Sequence, residues 1–273
     1  MADADFAIYR SWKSWDQDNF YFLPEEDRVY FKKELERCGI DTSKRISVFE
    51  IGFGNANFAK YCHERGFVYA GSELDTELVA RALDLKIEAF DSSQRISNIA
   101  GGRLFDLVVA FDVFEHIELR DLIEMLKDAR KILSEGGRIV ARFPSGDSPF
   151  SAPIFNGDMT HRTLIGIGKL DQICRSSGLR IVRVHSQSIT VLGLGFGNAI
   201  RKVPVIAGRR LMAAILANLY FGRKKLVFDP NMVAVLEAEP ISPADVRDPL
   251  PARAVAISEA NGDVGGQEDG NHA

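Results

Sequence analysis

The stretch VFEIGFGNANF, residues 48–58, decides how the rest of this sequence is interpreted. A β-branched and aromatic run ends in the carboxylate of Glu50, and Gly52 and Gly54 follow at a spacing of two. Such a pattern predicts a strand that passes into a tight turn, where a ligand can approach the backbone closely. A dinucleotide-binding turn carries a third glycine, and Asn57 stands at that position. The turn therefore indicates a ligand site without the usual pyrophosphate pattern.

The composition is that of an ordinary globular protein. Of the 273 residues, 46% are hydrophobic and 26% are charged. The three cysteines are scattered and match no metal-binding spacing, which favours a reduced, cytosolic chain. The longest apolar stretch, residues 211–221, has 11 residues, whereas a membrane-spanning helix needs about 20. Residues 1–10 carry acids and no apolar core, so we expect no secretory signal and a cytoplasmic protein.

Strands and helices alternate from about residue 45 to residue 185. Short β-branched or aromatic runs predict strands over residues 45–50, 67–73, 85–91, 105–111, 138–143 and 180–186. Helical spacing predicts helices between them, including one through Leu122, Leu126, Ala129 and Leu133 that ends at Gly136-Gly137, and one over 163–176. This alternation predicts an α/β fold with a doubly wound, mostly parallel sheet. Ligands of such folds lie outside the carboxyl ends of the strands.

The flanking segments differ from this core in composition. We predict a helical N-terminal lead-in over residues 1–40, a core over 41–190, a basic amphipathic helical insertion over 191–225, a final core strand over 226–239 and a disordered tail over 240–273. Trp12 and Trp15, three residues apart in the lead-in, could share a helix face. Anchoring of the lead-in is the favoured role for them, ahead of ligand contact.

Acidic residues end three consecutive predicted strands. Glu50 ends the first, Glu73 ends the second and lies 21 residues after Gly52, and Asp91 ends the third. A carboxylate in the position of Glu73 can accept hydrogen bonds from both ribose hydroxyls. Each acid alone is more simply a solvated strand end. Together, beside one glycine turn, they favour a site for an adenosyl group, and the small Ala56 suits a turn that contacts an adenosyl amino acid.

The ordered motifs VFEIGFGNANF, YAGSELD, EAFD, FDLVVAFDVFEHI and EGGRIVARFP resemble those of class I S-adenosylmethionine-dependent methyltransferases over residues 45–185. The resemblance implies a seven-stranded Rossmann-like sheet and S-adenosylmethionine as cofactor. It also implies that the methionine end is held by Glu50, Gly52 and Gly54, the ribose by Glu73, the adenine end by Asp91, and that Asp112 lies beside the cofactor. Ala56 belongs to this turn and departs from the family, which usually has glycine there.

A narrower resemblance covers residues 143–182. This stretch contains GDMTH and is similar to bacterial methyltransferases found with capsule, lipopolysaccharide or other glycan synthesis. The resemblance implies a sugar hydroxyl of a cell-surface glycan, or of its lipid-linked precursor, as the methyl acceptor.

Methylation of a hydroxyl requires a base, and histidine suits this role near neutral pH. His161 in GDMTH is the candidate base, with Asp158 three residues earlier to orient its ring. A loop hydrogen bond that only shapes the acceptor pocket is an equal alternative for His161. His116 in FEHI is more simply a residue that caps the following helix. No metal site is predicted, because Asp158 and His161 supply only two ligands.

A basic block interrupts this acidic protein. Residues 172–228 contain ten Lys or Arg and no Asp or Glu, although the whole chain has a net charge of −4. Within 191–225, an apolar stripe runs through Leu211, Met212, Ile215, Leu216 and Leu219 with basic residues on both sides. The pattern fits a helix at an anionic membrane surface, contact with a phosphate-bearing lipid-linked glycan, or packing on the sheet or on a second subunit. Nucleic acid is not favoured, because aromatic interleaving is missing.

Three functions are compatible with these features. The leading one is glycan O-methylation by a cytoplasmic enzyme that residues 191–225 attach to the inner membrane face. The second is methylation of a small lipophilic acceptor such as a quinone precursor, whose enzymes share the EHI stretch. The third is a non-catalytic module that binds the cofactor, which the intact acids and glycines of the turn argue against.

Overall fold

The computed structural model describes residues 9–13, 15, 19–189, 196–221 and 226–240 of the chain. Apart from Pro240, the segment predicted to be a disordered tail lies outside these residues, so that prediction is left as it stands. Residues 9–12 form one helical turn, and the first long helix, α1, spans Glu25–Arg37. Three acids in the first turn of α1 and Arg37 in its last turn complement the helix dipole.

The described residues contain seven strands, which form one mixed sheet. They are β1 (Ser47–Ile51), β2 (Val68–Glu73), β3 (Ala89–Asp91), β4 (Phe105–Phe111), β5 (Leu133–Pro144), β6 (Leu179–Ser186) and β7 (Asn231–Ala238). Their order is β3-β2-β1-β4-β5-β7-β6, with β1 to β5 parallel and β7 antiparallel to both neighbours. This confirms the predicted α/β fold with a doubly wound, mostly parallel seven-stranded sheet.

Helices cover both faces of the sheet. After α1 they are α2 (Asn57–Glu64), α3 (Thr76–Asp84), α4 (Ile96–Ala100), α5 (Leu119–Arg130), α6 (Ala152–Asn156), α7 (Ile167–Ser177) and α8 (Phe196–Phe221). Val48 packs in a core with α1, α2 and α3, and its neighbour Phe49 packs in a second core with α4, α5 and α7. Because successive side chains of a strand alternate in direction, the central strands are apolar on both faces.

The chain leaves α5 earlier than the helical spacing predicts. Ala129 is buried as expected, but Leu133 begins β5 and pairs with Phe105 of β4. The Phe105 N–H donates to the Ile132 carbonyl at 2.8 Å, so pairing with β4 outweighs a further helical turn. The prediction of a helix that continues through Leu133 and ends at Gly136-Gly137 was therefore wrong.

Three other elements are shorter than predicted. β3, α7 and β7 begin at Ala89, Ile167 and Asn231. The residues before β7 bind the loop after β5 instead of extending the strand: the Val227 and Phe228 carbonyls accept hydrogen bonds from the hydroxyls of Ser145 at 2.7 Å and Ser148 at 2.6 Å. α8 lies within the predicted helical insertion. Among the residues described, no helix is long and apolar enough to cross a membrane.

The parallel strands deliver their carboxyl ends to one edge of the sheet. The register pairs Ile51 of β1 with Ser72 of β2, and Glu73 of β2 with Asp91 of β3. The glycine turn after β1, Glu73 and Asp91 therefore lie side by side, as the predicted ligand site requires.

Candidate functional site

The turn after β1 has a backbone that favours glycine. Gly52 (φ 70°) donates its N–H to the Ser72 carbonyl at 2.7 Å, and Gly54 (φ 50°) donates to Glu73 Oε2 at 2.9 Å. A Cβ at Gly54 would lie 2.9 Å from the Trp15 ring. The left-handed backbone and this close approach explain why glycine stands there.

Ala56 completes the turn under strain. It is left-handed (φ 57°, ψ 24°), fully buried and placed directly before α2. A left-handed conformation costs a residue with a Cβ about 1–2 kcal/mol. The backbone therefore favours glycine here, and alanine is the smallest residue with a Cβ.

Glu73 binds the turn through both carboxylate oxygens. Besides the bond from Gly54, Oε1 accepts the N–H groups of Leu74 at 2.7 Å and Asp75 at 3.2 Å. Burial raises the pKa of Glu73, and these three N–H donors act against that rise. A carboxylate offers about four lone-pair sites, so one is left for a ligand. Binding of both ribose hydroxyls, the predicted role, requires one of these bonds to be shared or exchanged.

The other two strand-end acids have partners within the protein. Glu50 is only 3% exposed, and its Oε2 accepts the Tyr69 hydroxyl at 2.6 Å. Burial raises the pKa of Glu50 to about 8, although the Tyr69 bond lowers it. Asp91 is half-buried, and its Oδ1 accepts the Ser93 N–H at 2.8 Å. Glu50 thus lies beneath the turn, and direct contact of Glu50 or Asp91 with a cofactor stays a prediction.

Asp112 follows β4 in a left-handed conformation, φ 57°. Its carboxylate forms a bidentate ion pair with Arg142, with Nε donating to Oδ1 at 2.9 Å and Nη2 to Oδ2. The Arg142 guanidinium also lies over the Tyr30 ring at 5.3 Å and the Phe111 ring at 5.4 Å. Asp112 is thereby fixed at the carboxyl edge, next to the glycine turn. Sequence reasoning missed Arg142, because its position near the end of β5 does not reveal which loop it faces.

The GDMTH loop brings Asp158 and His161 together. Asp158 Oδ1 accepts the N–H of Thr160 at 2.9 Å and its hydroxyl at 2.5 Å. His161 Nδ1 donates to the Phe155 carbonyl at 2.9 Å, while Nε2 lies 3.7 Å from Asp158 Oδ2. Burial alone would raise the pKa of Asp158, but the two bonds from Thr160 and nearby positive charge lower it below its ordinary value.

The FEHI segment meets this loop, a contact that sequence reasoning did not predict. Its short 3₁₀ helix, Phe114–His116, places the Glu115 carbonyl so that it accepts the N–H groups of Arg162 at 2.6 Å and Thr163 at 3.0 Å. The ring centroids of His116 and His161 are 4.7 Å apart.

His116 is bonded to the loop and does not cap α5. Its Nδ1 lies 2.8 Å from Thr160 Oγ1, whereas α5 begins after Glu118 without a side-chain cap. Burial and the neighbouring His161 lower the pKa of His116 to about 4, which keeps its ring neutral near pH 7. Burial also raises the pKa of Glu115 well above its ordinary value, with Asp112 adding to the rise.

Residues 9–13 of the lead-in contact the FEHI segment, the GDMTH loop and the ring that packs on the glycine turn. The Tyr9 ring lies 6.0 Å from the His116 ring and 5.7 Å from the Trp15 ring, and Lys13 Nζ lies 3.5 Å from Asp158 Oδ2. Arg10 ties the segment to the start of α3 through ion pairs with Asp75 and Glu77.

The two tryptophans do not act alike. Trp12 is 56% exposed on the helical turn of residues 9–12, whereas Trp15 follows that turn and packs against Gly54. The expectation that they share a helix face was therefore wrong. Trp15 has the position from which a side chain can contact a ligand in the turn.

Two cavities lie beyond the carboxyl ends of β5 and β6. One, about 400 Å³, is lined by Tyr30, Arg142 and Asn231 among others. The second, about 750 Å³, lies against α8, and its lining has four basic side chains, Lys33, Arg37, Arg209 and Arg210, and one acidic side chain, Asp229. Arg209 lines both, so the cavities are adjacent. The glycine turn lines neither of them and lies under the lead-in.

Known proteins share this architecture. A family model described as a methyltransferase domain matches residues 24–184. The solved structures that resemble the chain include a SAM-dependent methyltransferase from Archaeoglobus fulgidus, with 22% identity over 78% of this chain and 94% of that chain and a TM-score of 0.55. A S-adenosylmethionine-dependent methyltransferase from Clostridium acetobutylicum ATCC 824 has 12% identity over 87% of this chain and 99% of that chain, with a TM-score of 0.53.

The CcbJ methyltransferase from Streptomyces caelestis is similar too, with 14% identity over 80% of this chain and 91% of that chain and a TM-score of 0.51. At such identities these structures show a common fold and leave the acceptor open. No curated protein sequence matches the chain.

Proposed function

Because the chain belongs to the methyltransferase domain family and is a S-adenosylmethionine-dependent methyltransferase, we propose that it methylates a sugar hydroxyl of a cell-surface glycan or of its lipid-linked precursor. The proposal of a hydroxyl acceptor rests on the group formed by His116, Asp158 and His161 at the carboxyl edge. We name these three residues the histidine cluster. S-adenosylmethionine binds at the adjacent glycine turn in this proposal, with Glu73 on the ribose.

The histidine cluster has the chemistry that a hydroxyl acceptor needs. A sugar hydroxyl must lose its proton as the oxygen attacks the methyl group, and a neutral imidazole in reach can accept it. His161 Nδ1 donates to the Phe155 carbonyl, so Nε2 carries the free lone pair. Asp158 Oδ2, 3.7 Å from that nitrogen, would stabilise the imidazolium. Alignment of the hydroxyl with the methyl group would supply much of the remaining rate.

The basic cavity against α8 supports a phosphate-bearing acceptor. Arg37 donates to the Ser188 hydroxyl at 2.8 Å and Lys33 donates to the Ile189 carbonyl at 2.8 Å, which holds both side chains in the lining. Arg209 and Arg210 enter the same lining from α8. Guanidinium groups match phosphate oxygens well, so a lipid-linked glycan, which carries phosphate between lipid and sugar, suits this charge.

The outer face of α8 supports attachment to a membrane surface. Leu211, Ile215 and Leu219 recur at a spacing of four and are 64%, 48% and 72% exposed, while Ile206 and Ala213 line the cavity on the other side of the helix. An exposed apolar stripe on a helix with basic residues is typical of helices that lie in the lipid interface. Such attachment would place the enzyme on the inner membrane face, next to lipid-linked acceptors.

Methyl transfer from labelled S-adenosylmethionine to membrane extracts tests the acceptor. We expect label in the polysaccharide or lipid-linked glycan fraction, and a 10²- to 10⁴-fold lower kcat for His161→Gln with S-adenosylhomocysteine affinity unchanged. His63→Gln, on the exposed end of α2, is the matched control. Label in organic-soluble small molecules would instead identify a lipophilic acceptor, and cofactor binding without turnover of any acceptor would identify a binding module.

Flotation with lipid vesicles tests the membrane contact. We expect the protein to float with phosphatidylglycerol vesicles, less so at high salt, and Leu211→Glu with Leu219→Glu to abolish flotation. Leu104→Glu is the control, because Leu104 is 55% exposed in the loop before β4 and away from α8. Equal flotation of the α8 variant and the wild type would reject this part of the proposal.

A further inference from the structure

The contact between the FEHI segment and the GDMTH loop gathers more ligating groups than hydroxyl activation by one imidazole requires. One nitrogen or carboxylate oxygen from each of Glu115, His116 and His161 lies within 4.8 Å of the others. We infer that these three side chains form a binding site for a divalent transition-metal cation, with Asp158 at its rim. We call it the cation site.

The hydrogen bonds determine which imidazole nitrogens are free. The Phe155 carbonyl can only accept, so His161 carries its proton on Nδ1 and a lone pair on Nε2. The Thr160 hydroxyl donates its proton to Asp158 Oδ1 at 2.5 Å, so its oxygen accepts from His116 Nδ1 at 2.8 Å. His116 therefore also presents the lone pair of Nε2. Both rings are in the tautomer that binds a metal ion.

These bonds repeat the surroundings of known metal-binding histidines. A histidine that ligates a metal almost always donates its other ring N–H to a backbone carbonyl, a carboxylate or a water, and this fixes the ring orientation. His161 uses the Phe155 carbonyl, and His116 reaches the Asp158 carboxylate through Thr160. The centroids of the two rings held in this way are 4.7 Å apart, and the hydrogen bonds of both Nδ1 atoms go to other groups.

Two carboxylate oxygens at the site lack hydrogen bonds. Glu115 is 2% exposed and its Oε2 accepts none; Asp158 is 6% exposed and its Oδ2 accepts none. A buried carboxylate oxygen without a partner is costly, and buried charges are normally paired or bound to metals. Lys13 Nζ of the lead-in lies 3.5 Å from Asp158 Oδ2 and compensates part of the charge of this carboxylate. A cation between Glu115 and the two imidazoles would satisfy Glu115 directly.

The donor set indicates the class of metal. Imidazole nitrogens suit Zn²⁺, Fe²⁺, Ni²⁺ or Cu²⁺, and the carboxylate of Glu115 also admits Mn²⁺, whereas Mg²⁺ and Ca²⁺ prefer all-oxygen sites. Ligands on opposite sides of such a cation lie about 4.2 Å apart, from bonds of about 2.1 Å. The three ligand atoms already lie within 4.8 Å of one another, so the site needs at most a small closure.

A second cluster, Glu34, Cys38 and His185, has similar spacing elsewhere in the described structure. Its Glu34 Oε1 also lacks a hydrogen bond, but it has only one imidazole, whose Nε2 lies 3.8 Å from Cys38 Sγ, and Glu34 Oε2 accepts the Ser188 N–H at 2.6 Å. The cation site has two prepared rings, which makes it the stronger candidate. His185→Gln is therefore the matched control.

The consequence for catalysis rests on the proposed function, whereas cation binding does not. With the cation bound, His161 Nε2 is a ligand instead of a proton acceptor. The cation would then bind the acceptor oxygen and lower the pKa of the hydroxyl. The hydroxyl proton would pass to Asp158 Oδ2, and the oxygen would form a bond to the methyl carbon as the S–CH₃ bond breaks, so that sulfur keeps the electron pair and leaves as the thioether of S-adenosylhomocysteine.

Binding of Mn²⁺ to the chelator-treated, full-length protein tests the inference, with electron paramagnetic resonance and titration calorimetry as readouts. We expect one Mn²⁺ per chain and at least tenfold weaker binding in His116→Gln and in His161→Gln. His185→Gln should bind as the wild type does, and S-adenosylhomocysteine affinity should stay unchanged in all variants. Zn²⁺ should compete with Mn²⁺, and Mg²⁺ should compete far less.

The outcomes separate this inference from the proposed function. Saturable binding that is lost in the two cluster variants supports the cation site even when no glycan is methylated. Absence of saturable Mn²⁺ or Zn²⁺ binding, or its loss in His185→Gln instead, overturns the site. Full glycan methylation by metal-free protein in excess chelator overturns the catalytic role of the cation and leaves the acceptor proposal standing.

Discussion

Glu73 joins two features that lie 19 residues apart in the sequence, the end of β2 and the glycine turn. Its carboxylate holds Gly54 and the two residues after itself, and it keeps one lone-pair site for a ligand. A side chain in this place shapes the turn and, in the proposed function, also binds the ribose of the cofactor. Its two functions are therefore expected to fail together.

We predict that Glu73→Gln weakens S-adenosylhomocysteine binding at least tenfold, because the amide loses the charge and one acceptor oxygen. Titration calorimetry measures the affinity, and circular dichroism verifies the fold. Glu124→Gln, on the exposed face of α5, should bind normally. An unchanged affinity for Glu73→Gln would show that the ribose is held by other groups.

Glu50 determines a second property at this scale, the pH dependence of stability. Its pKa is about 8 in the folded protein, against an ordinary value of 4.5. Between these values the folded state binds more protons than the unfolded state, so the free energy of unfolding falls as pH rises. One group can contribute at most about 1.4 kcal/mol per pH unit to this fall.

Glu50→Gln removes that contribution, because its side chain stays neutral at every pH. We predict that the variant gains stability relative to the wild type from pH 5 to pH 8, by up to a few kcal/mol. Urea unfolding at four pH values in this range measures the difference, and the other titrating groups cancel in the comparison. A difference that does not change with pH would refute the assignment.

At the scale of elements, the lead-in is the segment whose position matters most for the site. Trp15 contacts the glycine turn, while Trp12 is exposed, and the chain contains only these two tryptophans. Fluorescence can therefore report on the turn directly. The same segment places Lys13 beside Asp158, so it covers both the glycine turn and the histidine cluster.

We predict that S-adenosylhomocysteine changes the fluorescence of Trp12→Phe, in which only Trp15 emits, because the ligand enters the turn under that ring. Trp15→Phe, in which only Trp12 emits, should show little change while it still binds the ligand by calorimetry. Equal responses from the two variants would mean that Trp15 does not face the bound cofactor.

The boundaries of the helices and strands show where prediction from sequence patterns fails. Apolar spacing predicted the strands and most helices, because both faces of the sheet are buried and the pattern records that burial. The same spacing predicted one helical turn too many at Leu133, where pairing with Phe105 decides the conformation. That partner lies 28 residues away, and local periodicity cannot reveal it.

At the scale of the whole molecule, charge and topology act together. In the described structure, the basic block of residues 172–228 includes β6, α8 and the residues before β7. Arg209 and Arg210 of this block line one cavity together with Lys33 and Arg37 of α1. Basic residues from distant parts of the chain thus face one space. This concentration of charge is the observation from which we propose an anionic acceptor.

The sequence by itself determined the α/β class, the doubly wound, mostly parallel sheet, the glycine turn and the acids at its strand ends, because each of these follows from local pattern. Only the tertiary structure decided that Glu50 pairs with Tyr69, that Arg142 holds Asp112, and that FEHI meets GDMTH. These contacts join residues between 19 and 48 positions apart in the chain. The packing of the whole sheet brings such residues together. No single stretch of sequence encodes that packing.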